Sequence, residues 1–270
     1  MAGRASGDGT VGKALEVLDR VAAKGRPVRF SELLEDSPYP KATLYRFVQT
    51  LTNQGMLVFD PERQTYAMGI RLVRLAHAAW HQSSLAPIAR PHVEALAQDV
   101  GETVHLGQLD SAQVLYVDKR NPTNAIDMYS SAGKVGPAYC TGVGKVMLAY
   151  LDEAILGPII DQQSFHRFTD TTITTADALR TELRAIHQNG YGFDREEHER
   201  GIICVAVPIL TAGGRALGGL SVTSSTDRQS LASLEKLVPR IQDAARAIAS
   251  VSRDWDFPDQ PSEQKQVETN

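Results

Sequence analysis

Residues 40–55 constrain the fold more than any other stretch. In Pro40–Asn53 the apolar side chains Leu44, Phe47, Val48 and Leu51 fall at i, i+3, i+4 and i+7, one stripe at helical period. Pro40 suits a first helical turn, where its missing N–H costs little, and Gly55 suits the stop. At about 100° per residue, Ala42, Arg46, Gln49 and Asn53 point away from the stripe, with Thr43, Tyr45 and Thr50 on its flanks. That face has one charge, several amides and hydroxyls, and no carboxylate. A helix face made for solubility usually mixes both signs of charge. This one suits a polyanion with readable edges, as the DNA major groove is. Taken alone, the stretch is better explained as an ordinary amphipathic helix, and its neighbours decide the matter.

Before it, Thr10–Lys24 has an apolar side (Val11, Ala14, Leu15, Leu18, Val21, Ala22) and a stop at Gly25. Residues 26–30 read as an extended link. Ser31 is a candidate N-cap for a brief helix over 32–36, and 37–40 form a turn. A short helix, a tight turn and a second helix with a polar outer face is the helix-turn-helix arrangement. After it, strands at 56–59 and 64–67 flank Asp60-Pro61-Glu62-Arg63, a turn of suitable chemistry. A hairpin directly after a recognition helix is a wing, and Arg63 at its tip is placed to reach phosphate or minor groove. Residues 1–75 carry 11 Lys/Arg against 8 Asp/Glu, and the remaining 195 carry 17 against 24. Only the first part therefore has the charge to approach an anion.

The rest of the chain reads as a second domain. A helix over 70–81, with Leu72, Val73, Ala76, Ala79 and Trp80 on one side, connects to a boundary at 82–87 and offers a face to a second subunit. Beyond it are a helix at 88–100, strands at 103–109, 113–119 and 125–131, and a loop at 133–138. A helix at 142–151 with Thr141 as its cap follows, then another at 176–189 ended by Gly190. Strands at 202–210 and 216–223 surround a turn at 212–215, and a long helix covers 227–253. Strands in adjacent pairs with helices between and after them predict an α+β fold with a largely antiparallel sheet. Residues 1–9 and 254–270 are polar and expected to be disordered.

Few motifs carry chemistry. Gly142-Val143-Gly144-Lys145 fails as a phosphate loop, because Tyr139 and Val146 stand where that motif needs Gly and Ser or Thr. A helix start after a Gly-rich loop still exposes N–H groups to an anion such as a carboxylate. Asp194–Arg200 is a dense charge run that a solvated loop explains about as well as a site does. His198 among carboxylates is a weak metal candidate, with no His or Cys pair at ligand spacing. No nucleophile motif appears. Cys140 and Cys204 lie far apart in sequence, and Cys204 sits inside an apolar run as a buried thiol would. The start has no signal core and the run 202–210 is too short to span a bilayer, so the expectation is a cytoplasmic protein with reduced thiols and no membrane partner.

In this order the pieces resemble the IclR family of bacterial transcriptional regulators over about residues 10–253. The resemblance rests on Pro40-Lys41-x-Thr43-x-x-Arg46, the helix end at Leu51-x-x-x-Gly55 and the wing. It rests also on Pro137-Ala138-Tyr139-Cys140-Thr141-Gly142-x-Gly144-Lys145 and on the run Gly190-Tyr191-Gly192-x-Asp194-x-Glu196-Glu197 through Gly201, Cys204, Ala206 and Pro208. It implies a winged helix-turn-helix domain (10–69), a linker helix (70–84) and a GAF-like effector-binding domain (85–253), in dimers or tetramers that bind small organic or aromatic acids. DNA contacts then fall to Lys41, Ala42, Thr43, Tyr45, Arg46, Gln49 and Arg63, with Ala42 standing where the family commonly has Ser. By position, the effector pocket would comprise Met128, Gly136 in its loop, Gly142, Val143, Asp194, Ile202, Cys204, Ser221 and Thr223, with Thr223 where Ser is frequent. A carboxylate would sit on the helix-start N–H groups and Ser221, and an otherwise unpaired Asp194 would accept from a donor on the ligand.

The function expected is a ligand-responsive regulator, of a catabolic operon, that binds double-stranded DNA and a small carboxylic acid as a homo-oligomer. No catalytic residue, cofactor or metal is expected. A thiol-based redox sensor and a small-acid-binding enzyme are the alternatives.

Overall fold

The computed structural model describes residues 9–121, 128 and 130–252. The chain divides after Gln82 into two compact units. In the first, α1 (Gly9–Ala23), α2 (Phe30–Glu35) and α3 (Lys41–Asn53) pack around Val17, Leu18, Val21, Leu33, Leu44, Phe47, Val48 and Leu51. Four of these, Leu44, Phe47, Val48 and Leu51, come from the stripe of α3, which faces this core along its whole length. A three-stranded antiparallel sheet of β1 (Val28–Arg29), β3 (Thr65–Met68) and β2 (Leu57–Asp60), in that order, closes it with Val28, Leu57 and Tyr66. Gly55, at φ 69°, makes the left-handed turn that stops α3. The helix α4 (Ile70–Ser83) follows the hairpin.

The second unit is a six-stranded antiparallel sheet covered on both faces. Its order is β6 (Val135–Pro137), β5 (Gln113–Arg120), β4 (Thr103–Asp110), β9 (Ala216–Ser225), β8 (Ile202–Leu210) and β7 (Gly192–Arg195). The helices α5 (Ala86–Val100) and α10 (Val238–Val251) pack together against it, and α6 (Gly142–Leu148) with α8 (Ala176–Asn189) packs separately. Central strands covered on both sides must be apolar on both sides, and Ile203–Ile209 is buried without a break. A core of Val114, Val143, Val146, Met147, Leu179, Leu183 and Ile186 fills the space around α6. Between α6 and α8 runs α7 (Glu153–Asp161).

Several local expectations change. The link at 26–30 contains β1, and α2 starts at Phe30, with the Glu32 carboxylate accepting the Arg29 N–H at 2.9 Å, rather than at a Ser31 cap. The helix at 142–151 ends at Leu148, and the loop at 133–138 contains β6, paired with Gln113–Leu115. The long helix at 227–253 is two helices, α9 (Leu231–Glu235) and α10. Pro239 explains the break, since its ring and missing N–H suit a first turn and interrupt a continuing helix. The candidate strand at 125–131 lies outside the described residues except Met128, Ser130 and Ser131, which are not in a strand. Gly9 already belongs to α1, and the termini at 1–8 and 254–270, expected to be disordered, lie outside the described residues.

Candidate functional site

Two surfaces gather the residues singled out by sequence, one in each unit. On α3, Lys41, Ala42, Tyr45 and Arg46 are exposed and Thr43 and Gln49 half-buried, while the stripe opposite is buried. Tyr45 rests edge-on against Phe30 at 5.8 Å, and the Arg46 guanidinium lies 5.9 Å from the Phe47 ring, so both are partly steered before any ligand arrives. In the wing, Asp60 Oδ1 accepts the N–H groups of Glu62 (2.9 Å) and Arg63 (3.1 Å), an Asx turn that fixes the tip. The Arg63 side chain stands 80% exposed beside Asp60. Among the described residues, only short local contacts restrain Arg46 and Arg63.

The second site is a small pocket on the α6 face of the large sheet. Side chains two apart on a strand share a face. That places Ser221 and Thr223 of β9, Ile202 and Cys204 of β8, and Asp194 of β7 side by side, because Cys204 pairs with both Thr223 and Asp194. Met128, Gly142 and Val143 complete the expected set around the same cavity. Gly136 is not part of it. It lies against the Tyr116 ring, and a Cβ there would meet Tyr116 Cε2 at 3.2 Å.

The glycines of Gly142-x-Gly144 serve packing, which is why the motif resembles a phosphate loop without being one. A Cβ at Gly142 would stand 2.4 Å from Cys204 Sγ, and one at Gly144 2.4 Å from the Ala138 carbonyl oxygen. Only glycine lets α6 come this close to β8. Thr141 is at the N-cap position, yet its hydroxyl donates to the Pro137 carbonyl (2.7 Å) instead of capping the helix.

Sequence reasoning missed His105, Tyr116 and Ser130 in the wall, and singled out His198 there only as a weak metal candidate. His105 bridges two hydroxyls, Nδ1 to Thr223 (3.2 Å) and Nε2 to Ser130 (2.7 Å). Burial, helped by nearby Lys119, pushes its imidazole down to about 3, so it is neutral. Alternation along β4 and the pairing of His105 with Ser221 were the only signals, and pairing is invisible in one sequence.

The charge run is the largest surprise. Asp194 and Glu197 are buried. Asp194 Oδ1 accepts the Glu197 N–H at 2.7 Å, and the His198 N–H also bonds to this carboxyl, so Asp194 has donors of its own. The Glu197 carboxylate pairs with Lys145 of α6, itself fully buried and also 3.3 Å from Glu182. Glu196 sits in the turn at φ 61°. Threonine hydroxyls hold that turn: Thr169 (2.6 Å) and Thr171 (2.9 Å) donate to the Glu196 carbonyl, and Thr172 (2.6 Å) to that of Glu197. Backbone strain of this kind persists only where surrounding contacts over-determine it.

Both cysteines are buried free thiols. Burial, then the neighbouring Asp194, pushes the Cys204 thiol up to about 12, and Cys140 is raised by the same causes. A sensor thiol needs exposure and a lowered pKa, and neither cysteine has them. Among the described residues no group of three His, Cys, Asp or Glu gathers as a metal site, and no helix is long and apolar enough to cross a membrane.

Residues 10–61 match the IclR helix-turn-helix domain, and residues 77–250 match the family described as bacterial transcriptional regulator IclR C-terminal. The chain belongs to the IclR family of bacterial transcriptional regulators. The HTH-type transcriptional regulator KdgR of Escherichia coli K12 is 33% identical over 251 residues, which cover 92% of this chain and 95% of KdgR. The Thermotoga maritima IclR structure superposes with a TM-score of 0.70 at 28% identity, over 90% of this chain and 98% of that one. An IclR homologue from Microbacterium hydrocarbonoxydans, complexed with 4-hydroxybenzoate, shares the fold at 22% identity and a TM-score of 0.77, over 89% of this chain and 98% of its own. An IclR regulator with a helix-turn-helix domain and an antiparallel-sheet domain is a DNA-binding transcriptional regulator, and its relatives are named as such.

Proposed function

We propose that the pocket under α6 is an effector site for a small carboxylic acid, and that its occupancy sets the affinity of the helix-turn-helix domain for an operator beside catabolic genes. The observation that carries this is convergence. Eight residues spread from Met128 to Thr223 surround one half-polar cavity whose hydroxyls, Ser130, Ser221 and Thr223 among them, can hold oxygen atoms. The homologue complexed with an aromatic acid supports the ligand class. The protein then works by binding, without catalysis or a cofactor, in the cytoplasm.

On the DNA side, Lys41, Ala42, Thr43, Tyr45, Arg46 and Gln49 read the major groove and Arg63 reaches the backbone or minor groove. Fluorescence titration of an operator duplex tests both halves at fixed salt. Arg46→Ala is expected to lose about 1–3 kcal/mol of operator affinity with folding intact. An effector acid is expected to change wild-type affinity for the duplex while remaining chemically unaltered. Unchanged affinity in Arg46→Ala removes the assigned contact, and turnover of the acid replaces the regulator reading with an enzyme.

One winged domain covers only a short half-site, so we propose a homodimer or dimer of dimers on a pseudo-palindrome. Ile70 (77% exposed) and Val73 (62%) on α4 supply an apolar face for a second copy. Light scattering is expected to give at least twice the chain mass at micromolar concentration, and a monomer mass removes this assembly.

A further inference from the structure

We propose that Asp194 presents a protonated carboxyl to the effector's carboxylate, so that the pocket takes up an organic acid anion together with one proton. The inference rests on the pocket being the effector site and goes further by naming the donor. It starts from a charge problem. Among the described residues that line the cavity there is no lysine or arginine, while Asp194 and Glu199 are both carboxylic acids. The cation behind the wall, Lys145, is sealed off at 0% exposure and already engaged by Glu197 and Glu182. An anion entering this cavity would therefore stand against carboxylates in a weakly screening environment with no free cation to receive it. Two carboxylates so placed share a proton.

Asp194 is the group arranged to hold that proton. Its carboxyl already receives the N–H groups of Glu197 and His198, so it has no need of a further donor from the ligand. With those two donors spent on it, the hydrogen bond left for the ligand is the one its own O–H would give. Burial, then the adjacent Glu197, pushes Asp194 up to about 7, against the pull of Lys145 and of the Glu197 and His198 N–H groups, which favour the carboxylate. The groups that face it from other elements stay neutral near that pH. Tyr116 of β5, Cys140 ahead of α6 and Cys204 of β8 are all raised by burial and keep their protons. His105 of β4 stays deprotonated, with both nitrogens occupied by hydroxyls. His198, in the turn with Asp194, is pushed down by burial. The balance is simple: the ligand arrives as its carboxylate, a proton comes from solvent, and one O–H···O bond forms between Asp194 and the ligand.

The test is calorimetry of the full-length protein with 2-oxobutyrate, gluconate and 4-hydroxybenzoate. Titrations at pH 7 and 8 are compared in phosphate and in Tris, whose ionisation enthalpies differ widely. For an acid that binds, we expect uptake of roughly half a proton per site at pH 7 and nearly one at pH 8, with affinity falling roughly fivefold between them. Asp194→Asn keeps an N–H donor in place of the O–H, and should bind with no uptake and a flat pH profile. Asp194→Ala should lose affinity at both pH values. An acid that binds wild type without proton uptake overturns the role of Asp194 and leaves the effector site standing. Uptake that survives in Asp194→Asn and disappears in His198→Gln assigns the proton to His198 instead. Failure of all three acids to bind removes the acid-effector reading and this inference together.

Discussion

Replacing Lys145 by methionine is expected to destabilise the C-terminal domain by about 3–5 kcal/mol, a large share of what holds a domain of this size together. The Lys145 side chain is fully buried on α6, bonded to Glu197 and 3.3 Å from Glu182. Methionine has nearly the same length and fills the same space. What changes is the charge left behind. Glu182 keeps Arg195 at 2.8 Å, so it retains a partner. Glu197 is 3% exposed, and among the described residues its Oε2 has no hydrogen-bond partner. Its remaining cation, Arg195, is 4.0 Å away and half-exposed. A buried carboxylate stripped of its partner carries its full desolvation penalty, whereas breaking a solvated pair such as Arg200–Asp170 should change almost nothing. Urea unfolding at pH 7.5, followed by a probe of the C-terminal domain, reads the difference. The double change Lys145→Met with Glu197→Leu should recover most of the loss, because it removes both charges. A single variant that costs under about 1 kcal/mol would show that Glu197 finds water or another cation, and that the pair does not anchor the turn.

The same pair marks where sequence reasoning stops. Elements with a period of their own were legible. The stripe of α3, the wing turn at Asp60–Arg63, the helix α8 with its Gly190 stop and the strand β8 all announce themselves within ten or fifteen residues. The exposed side of α3 follows from that stripe, and the neighbouring helices and wing mark it as the side proposed to face DNA. In contrast, Asp194–Arg200 looks like a solvated loop because every local rule says that four acidic residues in seven belong in water. Its burial depends on Lys145, some fifty residues earlier, and on three threonine hydroxyls at 169–172 that no periodicity ties to it. β7 was hidden for the same reason: a four-residue edge strand whose second half is charged. The pocket positions that the family resemblance implies converge, save Gly136. Those outside the motifs did not show, since His105 meets Thr223 only through a pairing 118 residues apart. The Gly142-x-Gly144 pair was visible, but its reason, the approach of α6 to Cys204 and Ala138, required the third dimension.

Asp194→Asn is expected to stabilise the unliganded protein at pH 8 by about 4 kcal/mol and to do almost nothing at pH 4. In an unfolded chain this carboxyl titrates near 3.9. In the folded protein burial and Glu197 push it up to about 7. Between those values the folded state holds a proton that the unfolded state has released, so stability falls as pH rises. The favourable contribution is fully present below about pH 4 and is lost through pH 7, leaving a buried carboxylate whose ionisation the fold opposes. Asparagine has the same shape, accepts the same Glu197 N–H, and never ionises. Thermal unfolding across pH 4–8 should show the two proteins nearly superposed at the acid end and separating steadily toward pH 8. Parallel curves would mean that Asp194 ionises as easily in the fold as outside it, with Lys145 offsetting burial. The direction of the effect ties stability to binding. In the proposed effector reading, a domain that carries a destabilising charge at Asp194 at pH 8 gains when an acid enters with a proton, and that gain is free energy available for changing operator affinity.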